Sequence, residues 1–334
     1  MVSIGSSSSS KASLNTTSTQ STMPDLLNFR DLGVSTADND AGKQYIKEGF
    51  IFRSASLDKL TQQNVEDFIK EHNIRTIIDL RSTVEGGEHV PIDQSFPTTA
   101  IQKVRKTDLV ADAPIINVDT NHPKEEKPNV IVERGKQLQS QVLRKKYRID
   151  FAGRNFQRSC IWMSCTLRLK VIIIVLMILC QRKKAAVYVA REVLTPMGVA
   201  NMYKQFVTYC QSEILEALQV FTDPENYPIH VHCTQGKDRT GLVSCLIEYI
   251  AGVPEDIIVK DYAKTQAGLE PIRTEMLVDL KNAGLSEEFA NAPPKFMEEL
   301  LGFLKEKYGS VTGFLDHIGF NEASRQQVRD IIVA

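Results

Sequence analysis

Cys233 stands six residues ahead of Arg239 in the stretch HVHCTQGKDRTG, 230–241. Thr234, Gln235, Gly236, Lys237 and Asp238 lie between them, and Thr240 and Gly241 follow. A cysteine thiolate is a nucleophile at neutral pH where local charge favours it. An arginine offers a planar fork that matches two oxygens of a phosphate. Glycine lets the backbone turn tightly and come close to a bound group. Together these residue types suit attack on a phosphoryl group whose developing charge is held by the surrounding loop.

Such a loop needs elements on both sides to aim it. YPIHVH, 227–232, reads as a short apolar strand running into Cys233, and TGLVSCLIEYIAG, 240–252, as a helix starting at Thr240 or just before. A strand that ends in a glycine-containing loop and enters a helix turns backbone N–H groups and the helix N-terminus into one concavity, which receives an oxyanion. The same field is expected to favour the thiolate of Cys233. Arg239 can return over the loop, Thr240 can hydrogen-bond the sulfur, and Gly236 and Gly241 permit close backbone approach. A Cys and an Arg at this spacing are ordinarily a buried thiol and a surface cation. Here the strand before, His232 ahead and R-T-G behind reverse that reading.

The string HCTQGKDRTG fits the pattern H-C-x5-R-[ST] and so resembles the cysteine-dependent protein tyrosine phosphatases. It is most similar to the subgroup with an H-C-x-x-G-K-x-R loop, which includes secreted bacterial tyrosine and lipid phosphatases and their fungal relatives. NFRDLG at 28–33, FRSASL at 52–57, IIDLRS at 77–82, MYKQF at 202–206, DYAKT at 261–265 and YGSVTGFLDHIGF at 308–320 also fit. The resemblance implies that Cys233 is the nucleophile, Arg239 the phosphate clamp and 234–240 the phosphate-binding loop, with His232 and Gly241 in support. It implies a phosphocysteine intermediate hydrolysed by water, with no metal and no organic cofactor. Substrates would be phosphotyrosine proteins and, for this loop type, also phosphoinositides or phosphoserine and phosphothreonine. Lys237 then meets a second phosphate; the alternative is that it turns to water and pairs with Asp238.

The leaving oxygen needs a proton from a general acid. Asp150, following a strand ahead of a long helix, is the first candidate, with Asp79 and Asp238 as alternatives; an ordinary pairing with Arg154, Arg81 or Arg239 is the competing account of each. Arg30, Asp31, Arg53 and Ser54 either face the site or support the sheet edge.

The rest of the 334-residue chain sets the frame. Residues 1–22 are a Ser/Thr tract expected to be disordered, and 23–334 one phosphatase domain. Thr61 should cap a helix that stops at Asn73, 76–80 should be a buried strand, 84–130 mostly loop, and 201–221 one long helix. Further helices are expected at 254–266, 273–284, 293–309 and 321–333. The expected fold is α/β, a central, largely parallel sheet covered by helices, with a lid-like insertion at about 130–191.

Net charge is −1, yet 134–191 holds fourteen Lys/Arg and one acid, Asp150. The apolar run 171–180 inside it is about half of what a bilayer span requires. It reads as a buried element of an insertion or as a basic, apolar lid leaning on an anionic membrane surface. Aromatic residues are too sparse there to suggest nucleic acid. Six cysteines without C-x-x-C spacing, and no signal-peptide pattern, suggest reduced thiols and a cytoplasmic protein, peripheral at membranes if the lid reading holds. A catalytically silent phosphate-binding module is the alternative of another class.

Overall fold

The computed structural model describes residues 26–38, 41–82, 85, 90–99, 143–153 and 156–334. The expected tail at 1–22, most of the loop at 84–130 and the first part of the insertion lie outside these residues.

Five short strands form one sheet: β1 (Arg30–Asp31), β2 (Ile51–Ser54), β3 (Thr76–Asp79), β4 (Lys145–Arg148) and β5 (Ile229–His232). Their spatial order is β1-β2-β5-β3-β4, with β1 antiparallel to β2 and every other pairing parallel. The α/β expectation is met. A parallel sheet must be covered on both faces, and the strands show how. Ile229 and Val231 of β5 enter the larger core, while the intervening His230 packs edge-on to Phe68, at 5.2 Å, on the opposite face. Likewise Ile78 joins the larger core and Ile77 the smaller one, which is built from Phe52, Leu57, Val65 and Phe68.

Helix α1 (Gln62–His72) covers the smaller face. Thr61 caps it, exchanging hydrogen bonds with Asn64, and Asn73 ends it in a left-handed conformation at φ 48°, as its sequence predicts. The other described long helices are α2 (Leu167–Ile178), α3 (Arg182–Val189), α4 (Val199–Tyr209), α5 (Gln211–Val220), α6 (Asp238–Ile250), α7 (Glu255–Gly268), α8 (Arg273–Ala283), α9 (Pro294–Tyr308), α10 (Val311–Ile318) and α11 (Glu322–Ile332). The single helix expected at 201–221 is two helices, α4 and α5, broken at Cys210, whose ψ of 32° leaves the helical range. The last helix is capped by Asn321, which accepts from the Ser324 amide.

Register fixes where the functional end lies. β5 is central, and His232 pairs with Ser54 of β2 on one side and Asp79 of β3 on the other. The carboxyl ends of three parallel strands therefore sit side by side where Cys233 follows, the usual ligand edge of such a sheet.

The apolar run is not buried. After a π-helical stretch at Phe156–Trp162, α2 is capped by Thr166 and packs beside α3, and its Leu169 joins a small buried cluster with Cys165 and with Val193, which follows α3. Leu167 and Ile178 remain 80% and 74% exposed. The buried-insertion reading is corrected: Leu169 is buried on one side of α2, while Leu167, Val171, Ile174, Val175 and Ile178 stay exposed on the other. Among the described residues no helix is long and apolar enough to cross a membrane.

Candidate active site

The loop between β5 and α6 is gripped from the scaffold side through its carbonyls. The Thr234 carbonyl accepts from the Ser56 amide at 3.0 Å. Asn28 Nδ2 donates to the carbonyls of Gln235 and Gly236, at 3.1 and 3.0 Å, and Arg53 donates to that of Gly236 at 3.0 Å. Three successive carbonyls are thus held by scaffold, leaving the amide side of the loop and the α6 N-terminus to an anion. Gly236 has φ 64°, and a Cβ there would lie 2.1 Å from the Ser54 carbonyl oxygen, so no other residue fits.

Arg53 is fully buried and needs a counter-charge. Asp261 of α7 supplies it: Arg53 reaches Asp261 Oδ2 at 3.1 Å, while Arg30 meets Asp261 at Oδ1 (2.9 Å) and Oδ2 (3.0 Å). Arg30 also donates to Asn28 Oδ1 at 2.7 Å. Burial and the neighbouring Arg30 hold Arg53 down to about 10, which leaves it charged at neutral pH. Burial alone would raise Asp261, but the two guanidiniums hold it well below the usual carboxylate range. Arg30 and Arg53 are therefore supports of the loop. Asp31 caps a short turn at Leu32–Ser35, and Ser54 Oγ lies 2.8 Å from His230 Nε2, so both are structural as well.

Cys233 is buried at the base of a cleft of about 450 Å³. Thr234, Gln235, Asp238, Arg239 and Glu85 supply its polar lining; Phe156, Leu194, Met202, Phe206, Leu280 and Phe289 are among its apolar walls. Arg239 donates to the Leu80 carbonyl at 3.2 Å and, back across the loop, to Thr234 Oγ1 at 3.4 Å. It also pairs with Glu85. Burial lowers its pKa, but Cys233 and Glu85 outweigh this and raise it, so its charge is secure.

The three acid candidates part company. Asp79 is buried and held by Arg81 through two hydrogen bonds of 2.9 Å, with His232 Nε2 at 4.0 Å. Burial would raise it, yet His232 and Arg81 bring it well below the usual range, so it carries no proton to give at neutral pH. Asp150 follows β4, as expected, but it is not part of the cleft lining; it lies beside Gly153, and its Oδ1 is buried without a hydrogen-bond partner among the described residues. Asp238 does line the cleft. Its Oδ1 accepts from Tyr203 of α4 at 2.7 Å, and Tyr203 in turn meets the hydroxyl of Tyr262 at 2.8 Å.

Lys237 corrects the sequence reading. Its side chain is fully buried and donates to the backbone carbonyls of Phe289 and Asn291, with Asp238 Oδ1 at 3.6 Å. The ammonium points into the fold, because those carbonyls solvate it there, and does not meet a second phosphate in the cleft. Thr240 is fully buried, and its hydroxyl has no hydrogen-bond partner among the described residues. His232 Nδ1 lies 3.3 Å from the Cys233 carbonyl, a backbone support beside the nucleophile; burial lowers its pKa, and Asp79 works against this. Gly241 packs under the Tyr262 ring, where a Cβ would come within 3.2 Å.

Sequence reasoning did not assign roles to Asn28, Asp261, Tyr203, Tyr262 or Glu85. Four of them lie inside NFRDLG, MYKQF and DYAKT, strings distant from the loop in sequence, and the family resemblance of those strings is the available signal. Glu85 carries no such signal.

Known phosphatases are similar to this chain in sequence. The triple specificity protein phosphatase PtpB of Mycobacterium tuberculosis is 27% identical over 121 residues, 32% of this chain and 44% of the relative. A tyrosine-protein phosphatase of Nostoc commune is 29% identical over 145 residues, 40% of this chain and 49% of the relative. The inositol diphosphatase DSP4 of Arabidopsis thaliana is 46% identical over 50 residues, 15% of this chain and 25% of the relative. The chain thus spans less than half the length of these curated relatives. The tyrosine phosphatase family itself matches residues 21–334, from the start of the globular pattern to the last residue, and to that family the chain belongs.

Proposed function

We propose that the protein is a phosphatase that hydrolyses phosphotyrosine through a phosphocysteine intermediate. The observation that carries this reading is Cys233 at the base of a loop whose carbonyls are tied to the scaffold, with Arg239 returning over it. In the first step Cys233 Sγ attacks phosphorus and the bond to the leaving oxygen breaks, while Arg239 and the loop amides hold the charge spread over the remaining oxygens. Asp238 gives the leaving phenolate its proton; its place in the cleft lining favours it over Asp150 and Asp79. In the second step Asp238, now a carboxylate, takes a proton from water, whose oxygen attacks phosphorus, and the S–P bond breaks to return the thiolate and phosphate.

The apolar walls suit a phenyl ring, and Arg239 is the one cation in the described lining. Phosphotyrosine is therefore favoured over a phosphoinositide, whose further phosphates would call for the cation that Lys237 places elsewhere. The names of the relatives, triple specificity phosphatase and inositol diphosphatase, support a wider substrate range as the second reading. The cations of 134–191 support an anionic membrane surface as a place of action.

The test is phosphate release from a phosphotyrosine peptide, a phosphoserine peptide and a phosphoinositide panel in chelator, with wild type beside Cys233→Ser. Turnover by wild type alone, fastest on phosphotyrosine, is expected. A wild type that binds phosphate but turns over nothing would make the loop a silent anion-binding module.

A further inference from the structure

We infer that α2 is a membrane-inserting element that lays its outer stripe into an anionic bilayer surface beside the cleft. This rests on the reading of 134–191 as meeting an anionic surface and names the element that enters it. Leu167, Val171, Ile174, Val175 and Ile178 recur at helical spacing and are all exposed, with Met163, Met177 and Leu179 exposed at the edges. The opposite side of α2 already packs on the cluster of Cys165, Leu169 and Val193. An apolar stripe of this extent left exposed at the surface marks a contact surface.

The charges decide what covers it. Between 161 and 184 there are five cations, Arg168, Lys170, Arg182, Lys183 and Lys184, and no acid. Arg182, Lys183 and Lys184 are exposed together at the start of α3, at the end of α2 where Ile178 and Leu179 emerge. Arg168 reaches Glu192 at 3.7 Å but stays 76% exposed. Lys170 sits 5.6 Å from the ring centre of Trp162, which places an aromatic and a cation together as at a headgroup layer. An apolar stripe with cations at its ends is the pattern of a helix lying in the interface of an anionic bilayer. A second copy of the chain would bring these cations against their own kind. The helix spans about 18 Å at 1.5 Å per residue, enough to lie in an interface and too short to cross one. The same segment runs through Leu194, which lines the cleft, so docking here brings the cleft to the bilayer.

The test uses the full chain with vesicles of phosphatidylcholine alone or with about a third phosphatidylserine, read by flotation and by fluorescence of Trp162, the only tryptophan. Wild type should bind the anionic vesicles at least about tenfold more tightly, with a blue-shifted emission quenched by bromine-labelled acyl chains. Leu167→Glu with Ile178→Glu, at the two most exposed stripe positions, should abolish both signals while turnover of a soluble phosphotyrosine peptide stays unchanged. Replacing Arg182, Lys183 and Lys184 by Gln should weaken binding and flatten its salt dependence.

Binding that survives the Glu pair, with no quenching of wild type by the labelled chains, would sink insertion and leave the broader reading of an anionic surface standing. No preference for anionic vesicles would sink both. A wild-type dimer that the Glu pair converts to monomer would assign the stripe to a second copy. The quenching measurement needs no variant, so a Glu pair that misfolds leaves the inference refutable. Vesicle binding by Cys233→Ser should match wild type, which separates this inference from the catalytic one.

Discussion

Asp261→Asn separates a loop-positioning network from ordinary fold support. The substitution keeps shape and one acceptor but removes the charge shared by Arg30 and Arg53. Arg53 and Asp261 are both almost fully buried, so the change leaves a guanidinium in the interior without its counter-charge. Breaking one side of such a pair costs about 3–5 kcal/mol, and the amide's retained oxygen puts this case near the lower end. With a slope of about 3 kcal/mol per molar urea, the unfolding midpoint should fall by about 1 M. Activity should suffer separately, because Arg53 also holds the Gly236 carbonyl on which the phosphate loop rests. A displacement of about 1 Å at a reacting group costs on the order of a hundredfold, so kcat on a phosphotyrosine peptide should drop by about ten- to a hundredfold in protein that circular dichroism shows to be folded. KM should move much less. A midpoint within about 0.2 M of wild type would refute the energetic argument. A lowered midpoint with wild-type kcat would show that the network supports the fold without positioning the loop.

Other perturbations test the remaining roles. Asp79 and Asp261 both have depressed pKa values in the fold, so the stability they contribute is complete above the ordinary carboxylate range and is lost as pH falls below about 4; urea midpoints from pH 7 to 3 should fall, and less steeply for Asp79→Asn. Asp238→Asn should reduce kcat on phosphotyrosine about a hundredfold and much less on p-nitrophenyl phosphate, whose leaving group needs no proton. Asp150→Asn should leave both rates near wild type, and the opposite ranking would return the acid role to Asp150. Glu85 is 41% exposed and pairs with the arginine that must meet phosphate, so Glu85→Gln should tighten inhibition by inorganic phosphate about two- to fivefold; unchanged inhibition would mean that the pair does not compete.

What the sequence determined by itself is what depends on neighbours in the chain. The strand before Cys233, the helix after Arg239 and the glycine between them are local requirements of an anion loop, and a string of twelve residues states them in full. Thr61 and Asn73 bracket α1 for the same reason, since caps act on the next few backbone groups. The short runs TIIDL and YPIHVH, each ending in a polar loop, announced buried strands, and with the helices between them an α/β sheet.

The tertiary structure decided every question settled by distance across the fold. Lys237 is read in sequence as a cation in the loop, but carbonyls more than fifty residues away turn it inward. Three aspartates were equal as residue types. Arg81 and His232 keep one ionised, a second stands off the cleft, and Tyr203 holds the third within it. The apolar run 171–180 likewise reads as core or as an exposed lid until the fold leaves one side of α2 uncovered. Composition fixes what a side chain can do; only the neighbours brought by folding decide its charge, direction and exposure.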